Sequence, residues 1–263
     1  MVVSGRKGKK RQVWTVTNGF ESTPYCGPFT TAEALLSTWN LDPWLIAMIT
    51  LSFGALLLHR SKVGFSSGKD SALAIAFVGV IVAFVSPLCA ATVALFSARA
   101  VHHLVLVSVV APALAVALPW RALSAPLALA ATTAALVLWH VPAVYDAAWS
   151  SVGIYWGMQV VTLLPAWLFW SSILHPRQSG EDLLAHALGV GGLAASMGFI
   201  GAVLTFAPTG LYPQHLIGSE AFGLTLLADQ QLAGLIMWVP GFLPLAGLAL
   251  WMVRRGWKQG FAA

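Results

Sequence analysis

LFSARAVHHLVL, residues 95–106, sets Arg99, His102 and His103 at the mouth of an apolar run that continues to Leu118. The length of that run decides the fold. Runs of this kind, near the 20 or so residues that cross about 30 Å of hydrocarbon, recur along most of the chain. Of its 263 residues 58% are hydrophobic and 9% charged, against roughly 25% charged in an average soluble domain. A soluble surface cannot be built from so few charges. The class is therefore all-α, a polytopic transmembrane bundle.

Counting apolar runs and their breaks at Pro, Gly and charge predicts seven spans, at 41–59, 72–88, 98–118, 124–141, 152–174, 183–206 and 224–252. The last is longer than a span needs and carries Pro240 and Pro244, so a kink or tilt is expected there. Residues 1–40 read as a flexible polar tail, 41–253 as the membrane domain and 254–263 as a short basic tail. The tail holds five basic residues between Arg6 and Arg11 with no apolar segment behind them, so it is not a secretory signal.

The formal charge of +5 does not point to nucleic acid, because the cations sit in short clusters beside apolar spans. Arg60, Lys62, Lys69, Arg121, Arg177, Arg254, Arg255 and Lys258 share one side, and only Arg99 falls on the other once the N-terminal basic run, about 30 residues from the first span and beyond the rule's reach, is set aside. The expectation is an N-terminus outside and a C-terminus in the cytoplasm. No internal repeat is evident.

With this topology, separate segments deliver polar side chains to one leaflet. SPLCA brings Cys89, the start of span three brings Arg99, His102 and His103, LWHVPAVYD brings His140, Tyr145 and Asp146, and ADQQLAGLIMW brings Asp229, Gln230, Gln231 and Met237. Each residue alone has a plain structural role, as when an arginine snorkels to headgroups. Their shared depth points instead to a polar pocket, because ionisable groups in membranes face a bundle interior or a wet cavity. His102 and His103 diverge by about 100° on a helix and cannot both aim at one centre. His103 is the expected inward ring.

Imidazole, thiolate and thioether together suit copper, so His103, His140, Cys89 and Met237 are candidate ligands, although no short-spacing motif demands a metal. The chain's two cysteines, Cys26 and Cys89, form no CxxC motif and suggest no disulfide framework. Two histidines at equal depth are also what a bis-histidine haem would need, but haem is not indicated, and the absence of CxxCH excludes covalent c-type haem. No nucleophile motif, HExxH, phosphate loop or close carboxylate pair is found, so an enzyme is not expected.

From about Trp39 to Trp251 the chain resembles the cytochrome c oxidase assembly factor CtaG of the caa-type oxidases, a bacterial seven-span family. The carriers are WNLDP (39–43), SPL (86–88), FSARAVHHLVLVSVVAPAL (96–114), LWHVPAVYDAAW (138–149) and DQQLAGLIMWVPG (229–241). His103, His140, Asp229, Gln230, Met237 and Trp238 match the family by position. Arg99 stands where the family has a histidine, His102 where it usually has a glutamine, and GIYWGMQVV (153–161) lacks the family's histidines near the start of span five.

The resemblance implies a multi-pass protein of the bacterial inner membrane with a non-enzymatic role in maturing the copper centres of a haem-copper oxidase, with oxidase subunits and membrane lipids as partners. His103 and His140 would be transient Cu(I) ligands, Cys89 and Met237 softer auxiliaries, and Asp229 would pair with Arg99 or orient a histidine. The alternatives are a metal-free scaffold or accessory oxidase subunit and, from a different class, a proton or small-solute transporter.

Overall fold

The computed structural model describes residues 24–64, 66–174 and 179–260. The basic run at 6–11 and Arg177 lie outside them. Among the described residues there are helices and no strands. Six helical segments are long and apolar enough to cross a membrane, and a bent pair makes a seventh. Leu51, Leu188, Phe199 and Phe206 lie exposed on the outside of the bundle, as a lipid-facing surface requires.

Local chemistry sets where each span starts and breaks. The first, α1 (Pro43–Val63), has Pro43 at its first position and Asp42 accepting the Trp44 N–H at 3.0 Å. The second, α2 (Ser67–Phe84), stops earlier than expected. Ser86 accepts the Leu88 N–H, Pro87 cannot continue a helix from behind, and a separate short helix, α3 (Pro87–Ala94), begins. Cys89 thus sits on α3 rather than at the end of span two.

Span three combines α4 (Phe96–Val105), a π-helical turn at Leu106–Val110 and α5 (Ala111–Ala117). The wide turn accommodates Pro112. Ala111 N–H bonds back to the Leu106 carbonyl, Pro112 has no N–H to offer Val107, and the Trp170 indole donates to the Val107 carbonyl at 2.8 Å instead.

Span four was expected to be a single run to residue 141. It is α6 (Ala125–Trp139) followed by α7 (Pro142–Ser150), bent by 77°. Pro142 excludes the helical conformation at Val141, which is extended (φ −77, ψ 119). Spans five and six are α8 (Val152–Ile173) and α9 (Gly180–Phe206), the latter opened by a reciprocal Ser179–Asp182 capping box. After a short α10 (Leu216–Ala221), span seven runs as α11 (Leu226–Trp238) and α12 (Phe242–Gly260). Its break falls at residues 239–241, where Pro240 predicts one. The helix also carries on through residues 254–260, expected to be a tail.

Small residues bring α9 against the last span. A Cβ on Gly201 would sit 2.7 Å from the Gly234 carbonyl, and one on Gly180 would sit 2.9 Å from that of Gly256. Only glycine permits such an approach, the usual device where lipid removes any hydrophobic drive between helices. Phe169, Leu193, Met197 and Met237 fill the adjoining interior.

The segment expected to be flexible is, from Pro24 onward, built into the bundle. Tyr25 donates to Asp42 at 2.6 Å and Asn40 Nδ2 donates to the Phe84 carbonyl at 3.1 Å. Cys26 and Cys89 form a disulfide across a sequence separation of 63. The expectation of no disulfide is therefore corrected, and Cys89 has no thiolate to offer as a copper ligand. The denatured but unreduced protein should titrate with no free thiol and the reduced protein with two. Two thiols without reductant would refute the pairing.

Candidate functional site

The polar residues converge where the start of α4, the start of α11, the α6–α7 bend and the 207–225 connection meet under the Cys26–Cys89 staple. The first contact is a cap. Leu95, at the N-cap of α4, has no side chain able to accept a hydrogen bond, so the first N–H groups of a buried helix need an acceptor from elsewhere. Asp229 supplies it from α11, accepting Phe96 N–H at 2.6 Å, Ser97 N–H at 3.1 Å and the Ser97 hydroxyl. The carboxylate is thus committed to α4. It forms no ion pair with Arg99 and no hydrogen bond to a histidine, which corrects the expected role.

One turn further on α4 both histidines are buried. His102 packs edge-on against Phe84, with ring centroids 5.1 Å apart. His103 faces His140, centroid to centroid 5.9 Å. His140, at the bend after α6, donates through Nδ1 to the Leu136 carbonyl at 2.6 Å, which fixes its tautomer and leaves the Nε2 lone pair available. Neither ring nitrogen of His103 has a hydrogen-bond partner. This pair could hold a metal ion. Among the described residues no three His, Cys, Asp or Glu side chains converge to do so.

Arg99 is 4% exposed. Its Nη2 donates to the Thr92 carbonyl at 3.3 Å, and the guanidinium also hydrogen-bonds the Tyr145 and Tyr155 side chains. The guanidinium lies 5.7 Å from the Tyr155 ring centroid and 6.0 Å from that of Tyr145, at the edge of cation–π range. It borders a small, partly enclosed cavity of about 10 Å³ lined also by Pro24, Tyr25 and Cys26.

The remaining expected residues have other employment. Gln230 is buried, accepts Leu211 N–H at 2.6 Å and donates to the Leu204 and Thr209 carbonyls at 3.3 Å, so it ties down the chain leaving α9. Asp146 is exposed and accepts from Gln214 at 2.8 Å. Gln231 is partly buried on α11, and Met237 is buried in the core two turns beyond Asp229.

His215 was not anticipated. It is fully buried in the connection after α9, and its Nε2 pairs with the Tyr145 hydroxyl at 2.7 Å. Burial, with the Arg99 charge adding to it, pushes its pKa down to about 3, so it brings no second cation to the site. The signal available was a histidine in the loop after span six, YPQH (212–215), on the same side as the other polar residues. Tyr212 in the same loop stacks on Phe96 at 3.9 Å and donates to the His140 carbonyl at 2.7 Å, so the loop also holds the bend.

Among comparisons with known proteins, the family model for the cytochrome c oxidase caa3 assembly factor, Caa3_CtaG, matches residues 51–259. No curated protein and no solved structure matches the chain. The family match spans α1 to α12 and includes both facing histidines and the Asp229 cap, and on that extent the chain belongs to the cytochrome c oxidase caa3 assembly factor family.

Proposed function

We propose that this protein matures a copper centre of a haem-copper oxidase on the outer side of the bacterial plasma membrane, with Cu(I) as transient cargo between His103 and His140. The observation that carries the reading is the facing pair. Two imidazoles sharing one ion, each with a metal–nitrogen distance of about 2 Å, hold their ring centroids about 6 Å apart, close to the 5.9 Å between His103 and His140. A two-nitrogen site with no converging third ligand suits a low-coordinate soft ion held for transfer. Met237 is buried in the core on α11, whereas Cys89 is engaged with Cys26.

Two features support an outward-facing site. Arg60, Lys62, Lys69, Arg121, Arg254, Arg255 and Lys258 fall at the other ends of their spans, and a disulfide at the site end suits an oxidising compartment. Nothing at the site forms a catalytic nucleophile with its base, so the role is delivery, with the copper-binding oxidase subunit as partner.

A metal-free scaffold is favoured by one observation, the Arg99 cation on the helix that carries His103. Complementation separates the two readings. In cells lacking the chain, the wild type should restore oxidase copper content, while His103→Ala and His140→Ala, at equal abundance, should leave it at least about tenfold lower. Full copper with both variants would favour the scaffold.

A further inference from the structure

We infer that the slot between α1 and α2, toward the end of the bundle remote from the disulfide, is a binding site for one anionic phospholipid. Span one is the least buried of the long segments. Only 11% of its spanning stretch lies inside the protein, against 33% for α2 and 56% for span three. Long side chains hold it off α2 at two levels. Phe53 meets Phe77 edge to face with ring centroids 4.6 Å apart, and Arg60 reaches Asp70 at 2.7 Å. Between these props Gly54 leaves a gap, since a Cβ there would meet nothing within 4 Å.

The gap has a volume of about 430 Å³, with Leu57, Leu73 and Phe77 among its apolar walls. Thr50, a polar lining residue, donates its hydroxyl to the Ile46 carbonyl at 2.7 Å and so asks nothing of an occupant. That volume is nearly three times the roughly 150 Å³ that holds a benzene ring, room for about one acyl chain. A helix with its side chains is about 10–12 Å across and does not enter it. Leu51, Leu58 and Ile75 are exposed on the same two helices, so hydrocarbon chains lie against the slot. Filling it restores the dispersion contacts that its walls otherwise forfeit.

Charge at one end of the slot selects the headgroup. Arg60 and Asp70 compensate each other, and both stay partly open, with side chains 42% and 30% exposed. Lys62, exposed in the last turn of α1, and Lys69, in the first turn of α2, leave three cations against one carboxylate at this rim. The start of α2 adds to the field, because Ser66 gives its first N–H groups no side-chain cap. A lipid phosphate at the rim, with its chain in the slot, meets both the charge and the apolar walls. The lipid fastens a span that protein contacts hold weakly, a role independent of the copper reading.

The test uses the full chain, delipidated in detergent, with thermal unfolding and native mass spectrometry in phosphatidylglycerol against phosphatidylcholine of identical acyl chains. Phosphatidylglycerol should bind at one per chain, at least about tenfold more tightly than phosphatidylcholine. It should raise Tm saturably, by about 4 °C at ten times its dissociation constant. Gly54→Leu, which fills the slot, should abolish both the bound lipid and the increment. Lys62→Gln/Lys69→Gln should erase the preference for phosphatidylglycerol, a reading that stands even if Gly54→Leu fails to fold. Equal affinity for the two lipids, a preference that survives Lys62→Gln/Lys69→Gln, or binding undiminished by Gly54→Leu would each show that the slot takes only unselected bilayer lipid. A dimer that Gly54→Leu dissociates would place a second copy there and equally overturn the inference.

Discussion

Replacing Asp229 with alanine should destabilise the bundle by about 4 kcal/mol, read as a loss of folded protein in membranes and a Tm lower by about 10 °C in detergent. The side chain accepts three hydrogen bonds at a helix start 96–97 that has no cap of its own. Hydrogen bonds to a charged group contribute roughly 1.5–3 kcal/mol each, and two backbone N–H groups would be left orphaned where water cannot reach them. Asp229→Asn, which keeps an acceptor oxygen, should lose about half as much. If Asp229→Ala unfolds within 1 °C or so of the wild type, the cap is not what holds α11 to α4.

Gly234→Val should cost about 3 kcal/mol or prevent accumulation altogether, through backbone separation rather than lost chemistry. A Cβ there would lie 2.5 Å from the Gly201 carbonyl oxygen and 2.8 Å from Thr205 N. Both obstacles are backbone, so no rotamer change relieves them and α9 must move away from α11. That movement would also pull Gln230, one turn earlier on α11, off the Leu204 and Thr209 carbonyls. Alanine at 234 should give a smaller loss of the same kind. Near-native thermal stability of the valine variant would mean that α9 and α11 are not in backbone contact.

Much of this architecture is legible in local chemistry. Run length marks the spans and Pro240 marks the break in the last one. Where the reading failed, the cause is also local: at 86–88 a short polar restart, Ser86 then Pro87, is hidden among apolar residues, and at 140–142 the effect of Pro142 on Val141 turns an expected straight end into a 77° bend. The convergence of Arg99, His103, His140 and Asp229 followed from topology, since alternating spans place known positions at known ends. Their pairings did not, because they are tertiary. Nothing in a separation of 63 residues announces that Cys26 meets Cys89. Equally, an aspartate in the first turn of α11 looks like a cap for its own helix or a partner for an arginine, until packing sets it against Phe96 N–H.

The central claim is that His103 and His140 together hold Cu(I), and it is tested most directly by anaerobic titration of the purified full chain with Cu(I) in competition with a chromophoric chelator. The account predicts one Cu(I) per chain for the wild type, and an affinity lower by about a hundredfold or more in the His103→Ala/His140→Ala double variant. A wild-type chain that takes no Cu(I) from the chelator, or a double variant that binds it as tightly as the wild type, would contradict it.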